Sequence, residues 1–259
     1  MPRRLVSFGL TLLVTSSFAL AQGHSRTILA ATPIARTDLA WWRARHEAKL
    51  KEVAQSKPEL IFLGDSITQD WEWSGPPEWR DFAPAWQRFY GDRHAVNLGF
   101  KGDTTASLLW RIRNGEVAGI APKAAVVLIG ANNLGKAHWS AEDTVIGIDT
   151  IIDELRRRLP SAKILLLGVL PSERSAWVTE TTREINRMLA RRYKDDQSVS
   201  FLDLTALFMR NGVLNRELFF DSKLTPPDPL LHPTAQGQAL MAKAMEPVLV
   251  NMLGDRPHT

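Results

Sequence analysis

The sequence predicts an α/β fold of the flavodoxin-like kind, a three-layer sandwich in which helices cover both faces of a five-stranded parallel sheet. Short apolar runs bounded by Gly, Asn or Pro recur along the chain, as is typical of buried parallel strands. Helical patterns separate these runs, and strands that alternate with helices form parallel sheets. With 259 residues, of which 44% are hydrophobic, the chain can build one such domain with a substantial core.

The predicted elements are five strands and four long helices. The strands cover residues 60–63, 95–98, 125–129, 163–169 and 199–202, and the helices cover residues 38–55, 145–159, 179–193 and 235–253. Asp38 has the side chain of an N-cap for the first helix. Pro247 lies inside the last helix, which we expect it to kink or split because proline removes a backbone donor.

The N-terminus has the pattern of a cleaved signal peptide. Arg3 and Arg4 provide a positive start, a mostly apolar stretch follows, and Ala21 ends an Ala-Leu-Ala sequence of the kind that signal peptidases require. The stretch is short for a membrane span, so we expect cleavage and export to the periplasm or the medium, with no stable membrane span remaining. The predicted organisation is a signal peptide at 1–21, a flexible lead-in at 22–37 and a single domain at 38–259.

Composition argues against several classes of protein. The net charge is +4, of which Arg3 and Arg4 contribute two, and no run of Lys or Arg indicates a nucleic-acid partner. The chain has no Cys, which excludes a thiol nucleophile and thiolate metal sites. An exported domain of this size can fold without disulfides.

The first motif with chemical potential is Gly64-Asp65-Ser66, directly after the first predicted strand. Parallel sheets bind ligands at the carboxyl ends of their strands. A Ser at a tight turn there can present its hydroxyl at the mouth of the sheet and its N–H to an oxyanion. Alone, the motif is equally typical of a turn that caps a helix. We expect Asp65 to brace the turn through backbone N–H groups.

Two further motifs follow the second and third predicted strands. Gly102 allows a ligand close to the backbone and offers an N–H, while Asp103 or Thr104 is expected to cap the next helix. Asn132, in the sequence Gly-Ala-Asn-Asn, can donate its side-chain amide to an oxyanion, although a polar turn explains a single Asn equally well.

The fourth motif contains His232, just before the last predicted helix. A His at a helix entrance with an acid nearby suits a general base. Most His residues are not catalytic, so His232 gains weight only from the other three motifs. Together the four motifs supply a nucleophile (Ser66), two further oxyanion donors (Gly102 and Asn132) and a base.

This set of motifs resembles the SGNH, or GDSL, hydrolase superfamily. Residues 97–117 and the sequence AVVLIGANN at 125–133 are similar to the catalytic subunits of platelet-activating-factor acetylhydrolase type I, and the likeness covers about residues 42–253. It implies Ser66 as nucleophile, His232 as base, and an oxyanion hole of Ser66 N–H, Gly102 N–H and the Asn132 side chain. The animal enzymes of this type associate as dimers, so a homodimer is an expectation from the resemblance.

The acid that orients the base departs from the family pattern. The family places an Asp three residues before the His, but here that position is Pro229 and the acid is Asp228. We favour Asp228 as the partner of His232. Asp221 and a backbone carbonyl, which would give a Ser-His dyad, are the alternatives. An Asp in this role holds the imidazole tautomer and stabilises its cation.

The function that the resemblance implies is a serine esterase for short acyl groups, acetyl first, acting through an acyl-enzyme without metal or cofactor. An exported enzyme meets acetylated carbohydrates and lipids, and either is an expected substrate. A lysophospholipase or thioesterase for long chains would keep the chemistry. A non-catalytic carbohydrate- or lipid-binding module would keep only the fold, and it would have no need for all four motifs.

Four tryptophans lie between the first two predicted strands, at positions 71, 73, 79 and 86. We expect them to form a small satellite core over the sheet. The alternative is an aromatic wall for an acyl group or a sugar ring.

Overall fold

The computed structural model describes residue 1 and residues 26–258, and the predicted signal peptide lies outside this part of the chain except for Met1. Five strands form one parallel sheet of order β2-β1-β3-β4-β5. They are β1 (Leu60–Gly64), β2 (Ala95–Gly99), β3 (Ala124–Leu128), β4 (Lys163–Leu167) and β5 (Val199–Leu202). This order is that of flavodoxin-like folds, so the predicted fold is confirmed, and each predicted strand is found within two residues of its expected ends.

Eight α-helices connect and cover the strands in the described part of the chain. They are α1 (Ala40–Ser56), α2 (Ser66–Gln69), α3 (Ala83–Tyr90), α4 (Thr105–Arg111), α5 (Ala131–Gly135), α6 (Ala141–Arg158), α7 (Ala176–Arg192) and α8 (Ala235–Leu253). A small antiparallel hairpin of β6 (Met209–Arg210) and β7 (Val213–Leu214) follows β5. Within residues 26–258, no helix is both long and apolar enough to cross a membrane.

The core has two parts, one on each face of the sheet. Along β1, Ile61 and Leu63 join the part that includes α1, α4, α6 and α7. Leu60 and Phe62 join the part that includes α3 and α8. This division follows from the alternation of side chains along a strand. Because β1 lies between two other strands and is covered on both faces, its residues are all buried, as its uninterrupted apolar sequence predicted.

The predicted cap of α1 is wrong, and of the two effects predicted for Pro247 the split of the last helix is not observed. Asp38 does not cap α1, which begins at Ala40, because a turn closed by the Leu39 N–H on the Arg36 carbonyl leads into the helix. Pro247 does not split α8, which runs without interruption from Ala235 to Leu253. Met245 and Leu249 are buried on either side of Pro247, and this packing offsets the missing backbone donor.

The described part of the predicted lead-in packs against the domain. Residues 29–31 form a single 3₁₀ turn. The Ala30 carbonyl accepts a hydrogen bond of 2.7 Å from Thr105 Oγ1, and the Ile34 N–H donates to the Ala106 carbonyl at 3.1 Å. These contacts bring the segment against the start of α4, close to the loop that follows β2.

Candidate active site

The turn after β1 presents Ser66 as the first residue of α2. Asp65 precedes the helix, and its Oδ1 accepts a hydrogen bond of 3.0 Å from the Ile67 N–H, as predicted for a residue that braces the turn. The turn is tight, because a Cβ atom on Gly64 would lie 2.2 Å from Thr68 Oγ1. Ser66 is buried except for 6% of its surface.

Ser66 faces His232 across the sheet edge. The distance from Ser66 Oγ to His232 Nε2 is 3.1 Å, although the two residues are 166 positions apart in the sequence. The other ring nitrogen, Nδ1, lies 2.8 Å from Oδ1 of Asp221. Phe220 stacks on the imidazole with ring centroids 5.2 Å apart and planes 15° from parallel. A hydroxyl, an imidazole and a buried carboxylate therefore form a continuous series of hydrogen-bonding contacts.

The predicted pairing of Asp228 with His232 is corrected, because Asp221 occupies that position. Asp228 is exposed, and its backbone N–H donates to the Asp221 carbonyl at 3.0 Å. Residues 225–229 contain three prolines and form an exposed excursion. Oδ2 of Asp221 accepts from the N–H groups of Leu231 and His232, which closes the excursion at its base. One signal in the sequence favoured Asp221, because it directly follows two phenylalanines. When such phenylalanines are buried, the acid next to them is buried as well.

The charges around His232 support its use as a base. Burial by itself would lower the pKa of His232, but the hydrogen bond and charge of Asp221, with the charges of Asp70 and Asp65, raise this pKa above its ordinary value. Asp70 was not singled out from the sequence. It is buried one helical turn after Ser66, its Oδ2 has no hydrogen-bond partner within the described residues, and burial raises its pKa to about 7.

The loops after β2 and β3 bring Gly102 and Asn132 to the same edge. Gly102 has φ +79°, a conformation that favours glycine, and its N–H has no acceptor within the described residues. Asn132 Nδ2 donates to the Asp103 carbonyl at 2.9 Å and lies 3.5 Å from Asp65 Oδ2. Asn132 thus contacts the chain neighbours of both Gly102 and Ser66. The three expected oxyanion donors converge, and their role stays a prediction.

A buried ionic network, which the sequence did not indicate, holds the Gly102 loop from behind. Asp103 is fully buried and does not cap α4, contrary to one expectation. Its carboxylate accepts hydrogen bonds of 2.8 Å from Trp42 Nε1, Arg36 Nη1 and Arg111 Nε. Arg111 also pairs with the buried Glu116. Because buried charges are costly unless they are paired, this network fixes the position of the loop.

The four tryptophans between β1 and β2 divide into two pairs. Trp71 and Trp86 pack around Tyr90 at centroid distances of 5.5 and 5.1 Å and belong to the satellite core. Trp73 and Trp79 each lie 5.7 Å from Phe220, the ring that stacks on His232. All four tryptophans pack against the core part that contains α3 and α8, as expected, and the second pair also continues an aromatic row that ends at the candidate base.

Within residues 26–258, no group of three or more His, Cys, Asp or Glu side chains is arranged to hold a metal ion. The negative charges of Asp221, Asp65 and Asp70 all raise the pKa of His232. Asp221 contacts the imidazole and Asp65 contacts the backbone of the turn, so these carboxylates do not converge on one point where a metal ion could bind. The groups at this edge are suited to proton transfer and to binding of a developing anion.

Comparison with known proteins places the chain in a family. The model of the GDSL-like lipase/acylhydrolase family matches residues 62–240, which include Ser66, Gly102, Asn132, Asp221 and His232. The chain belongs to this family of acylhydrolases. The chain is 29% identical over 243 residues to platelet-activating factor acetylhydrolase IB subunit alpha2 of Rattus norvegicus, covering 92% of this chain and 96% of that protein.

Solved structures of related proteins share the fold. A GDSL-like lipase from Bacteroides thetaiotaomicron superposes with a TM-score of 0.62 at 18% identity, covering 80% of this chain and 97% of that one. A carbohydrate acetylesterase family member from Sinorhizobium meliloti superposes with a TM-score of 0.56 at 17% identity, covering 76% and 100%. The resemblance stated from the motifs is thereby confirmed at the level of the family and its fold.

Proposed function

We propose that this acylhydrolase is a serine esterase in which Ser66 attacks the carbonyl carbon of an ester. The observation that carries the proposal is the unbroken series of contacts from Ser66 Oγ to His232 Nε2 and from His232 Nδ1 to Asp221. As the Oγ–carbon bond forms, His232 takes the hydroxyl proton and Asp221 stabilises the imidazolium. Asp221, rather than Asp228, is the acid of this mechanism.

The second half of the proposal concerns the oxyanion and the acyl-enzyme. The negative oxygen of the tetrahedral intermediate is stabilised by the N–H groups of Ser66 and Gly102 and by the amide of Asn132. When the intermediate collapses, the ester C–O bond breaks and His232 returns the proton to the leaving alcohol. A water molecule then gives a proton to His232, attacks the acyl-enzyme and releases the carboxylic acid with free Ser66.

We further propose that the acyl group is short, with acetyl as the first choice, and that its alcohol is a carbohydrate or a lipid. A relative that aligns over nearly the whole chain is a platelet-activating factor acetylhydrolase subunit, and a structural neighbour is a member of a carbohydrate acetylesterase family. Both names support an acetyl group. The near-complete burial of Ser66, and the aromatic row of Trp73, Trp79 and Phe220 that ends at His232, support a small acyl pocket. Long-chain lysophospholipase or thioesterase activity is the second candidate.

The test is hydrolysis of p-nitrophenyl acetate, butyrate and octanoate by the purified protein and its Ser66→Ala variant. The matched control is Ser74→Ala, which removes the same hydroxyl from an exposed position. We expect the fastest turnover with acetate, complete loss in Ser66→Ala and no change in Ser74→Ala. Activity that survives in Ser66→Ala rules out this nucleophile, and turnover that rises with chain length favours the long-chain alternative.

Export and a homodimer also stay proposals. The charged and apolar pattern of residues 1–21 supports export, and the names of the relatives as subunits support association. Cell fractionation with N-terminal sequencing of the mature protein checks the first, and light scattering of the purified protein checks the second.

A further inference from the structure

Two cationic side chains lie over Gly102, whose N–H is a proposed oxyanion donor, and a third cationic residue precedes this glycine in the chain. They come from separate parts of the chain: Arg36 from the segment before α1, Lys101 from the loop after β2, and Lys136 from the end of α5. A Cβ atom built on Gly102 would lie 2.7 Å from Lys136 Nζ and 3.2 Å from an Arg36 guanidinium nitrogen. Two positive groups therefore lie directly above this glycine, and the third adjoins it in the chain.

The charges of these cations are only partly compensated. Arg36 bonds to the Lys101 carbonyl at 2.9 Å and to Asp103 at 2.8 Å, but Asp103 also pairs with the buried Arg111. Within residues 26–258, the ammonium groups of Lys101 and Lys136 have no ion pair and no hydrogen bond. Burial, and then the positive charges of Arg36 and Lys101, lower the pKa of Lys136.

The acids near Lys136 do not remove this excess of positive charge. Asp65 and Asp103 are the carboxylates whose charges act on it. Asp103 is already shared between two guanidinium groups, and Asp65 is buried with one oxygen bonded to the Ile67 N–H. Like charges held close together repel one another, and an anion bound between them relieves that repulsion. The fixed Arg36 guanidinium adds a planar fork that suits carboxylate and phosphate oxygens.

We propose that Arg36, Lys101 and Lys136 form a binding site for an anionic group, a carboxylate or a phosphate, on the alcohol part of the ester. This inference rests on the proposed esterase function and narrows its substrate class. An acetyl group has no ionisable group of its own. The anionic group that binds these cations must therefore be part of the alcohol. The enzyme would thus act on esters of acidic sugars or of phosphate-bearing alcohols in preference to neutral ones.

The cations could instead act only on the oxyanion through their electric field. In that case neutral and anionic esters would depend on them equally. The two explanations separate with three acetyl esters of similar shape: para-acetoxybenzoate, para-acetoxyphenyl phosphate and the neutral methyl para-acetoxybenzoate. Release of the phenol gives kcat/KM for each ester, and the first two compounds distinguish a carboxylate from a phosphate as the preferred anion.

The variant for this test is Lys101→Gln combined with Lys136→Gln, which keeps most of the length of both side chains. The control is Lys163→Gln. Lys163 is the exposed first residue of β4 and so lies at the amino ends of the strands, opposite the carboxyl ends where the site is located. We expect the wild type to prefer at least one anionic ester. In the double variant, kcat/KM for that ester should fall about tenfold, the low end of the effect of a cleft lined by one sign of charge. The neutral ester should change by less than about twofold, and added salt should shrink the preference.

An equal loss on all three esters, or no preference for an anionic ester in the wild type, would overturn the proposal. Turnover of the neutral ester that disappears in Ser66→Ala reports on the esterase function separately. Calorimetric binding of para-acetoxyphenyl phosphate and para-acetoxybenzoate to Ser66→Ala reads the anion site without turnover. Binding of either compound that weakens in the added double substitution supports the site even if catalysis fails, and binding that is unchanged contradicts it.

Discussion

Two regions of the active site are built in different ways. The strand-end loops carry Ser66, Gly102 and Asn132 and follow β1, β2 and β3. The C-terminal loop, residues 219–234, carries Asp221 and His232. In the sheet, Gly64 pairs in register with Gly99 and Leu128, so the three strands end at one level and their following residues meet. The C-terminal loop has no such frame and is held mainly by contacts that it makes with itself.

The contacts of the C-terminal loop join residues far apart in the sequence. The Phe220 N–H donates to the His232 carbonyl at 3.0 Å, and Phe219 pairs with Pro233 in an isolated antiparallel bridge. Asp221 reaches His232 across eleven positions, while Asp228, four positions away, is exposed. A site residue that follows a strand can be inferred from its neighbours in the sequence, whereas one in a self-closing loop cannot.

The largest expected effect tests whether Asp221 is the acid of the C-terminal loop. Asp221→Asn should lower kcat by about 10³- to 10⁴-fold, because the amide favours the wrong imidazole tautomer and cannot stabilise the imidazolium. Asp228→Asn is the matched control, and its activity should stay within about twofold, as is usual for surface substitutions. Steady-state kinetics with p-nitrophenyl acetate measure both.

The reverse result, with Asp228→Asn inactive and Asp221→Asn near normal, would mean that the loop rearranges when substrate binds. Thermal melts of both variants show whether a lost activity is a lost fold, because Asp221 also accepts hydrogen bonds from two backbone N–H groups.

A smaller effect is expected when a strand-end loop is altered. Asn132→Ala should lower kcat by about 10²- to 10³-fold with little change in KM, because an oxyanion donor acts in the transition state and not on the bound ester. The substitution also removes the hydrogen bond to the Asp103 carbonyl, so Asn132→Gln, which keeps an amide donor, is the companion variant. A loss below about threefold in both variants would assign Asn132 to the architecture of the loop alone.

The smallest effect concerns the dependence of activity on pH. Only neutral His232 can accept the Ser66 proton, so kcat/KM should fall as the pH drops through the raised pKa of His232. In Asp221→Asn the main groups that raise this pKa are gone and burial still lowers it, so the acid limb of the pH profile should move to lower pH. At a pH below both of these pKa values, the ratio of wild-type to variant kcat/KM should therefore be smaller than at high pH. The difference should be roughly tenfold for each pH unit that separates the two acid limbs. A limb that stays in place would show that another group sets it.

The sequence by itself determined the fold and much of the site. The five strands could be predicted because a strand covered on both faces must be apolar throughout, and this requirement is visible in any short window of the chain. Ser66, Gly102 and Asn132 could be named because each lies within four residues of the end of such a strand and because their motifs together resemble those of one family. The Asp65 hydrogen bond to the Ile67 N–H was predictable for the same reason, since both atoms belong to one turn.

Only the tertiary structure decided which acid contacts His232, which charges lie near Gly102 and whether α8 continues through Pro247. Asp221 outcompetes Asp228 because burial beside Phe220 and two backbone donors hold it in place, while the prolines leave Asp228 in solvent. Arg36 and Lys136 are 100 positions apart and come together beside Gly102 only when the segment before α1 packs against α4. In each case the deciding free energy comes from contacts between distant parts of the chain, and no local pattern of residues records those contacts.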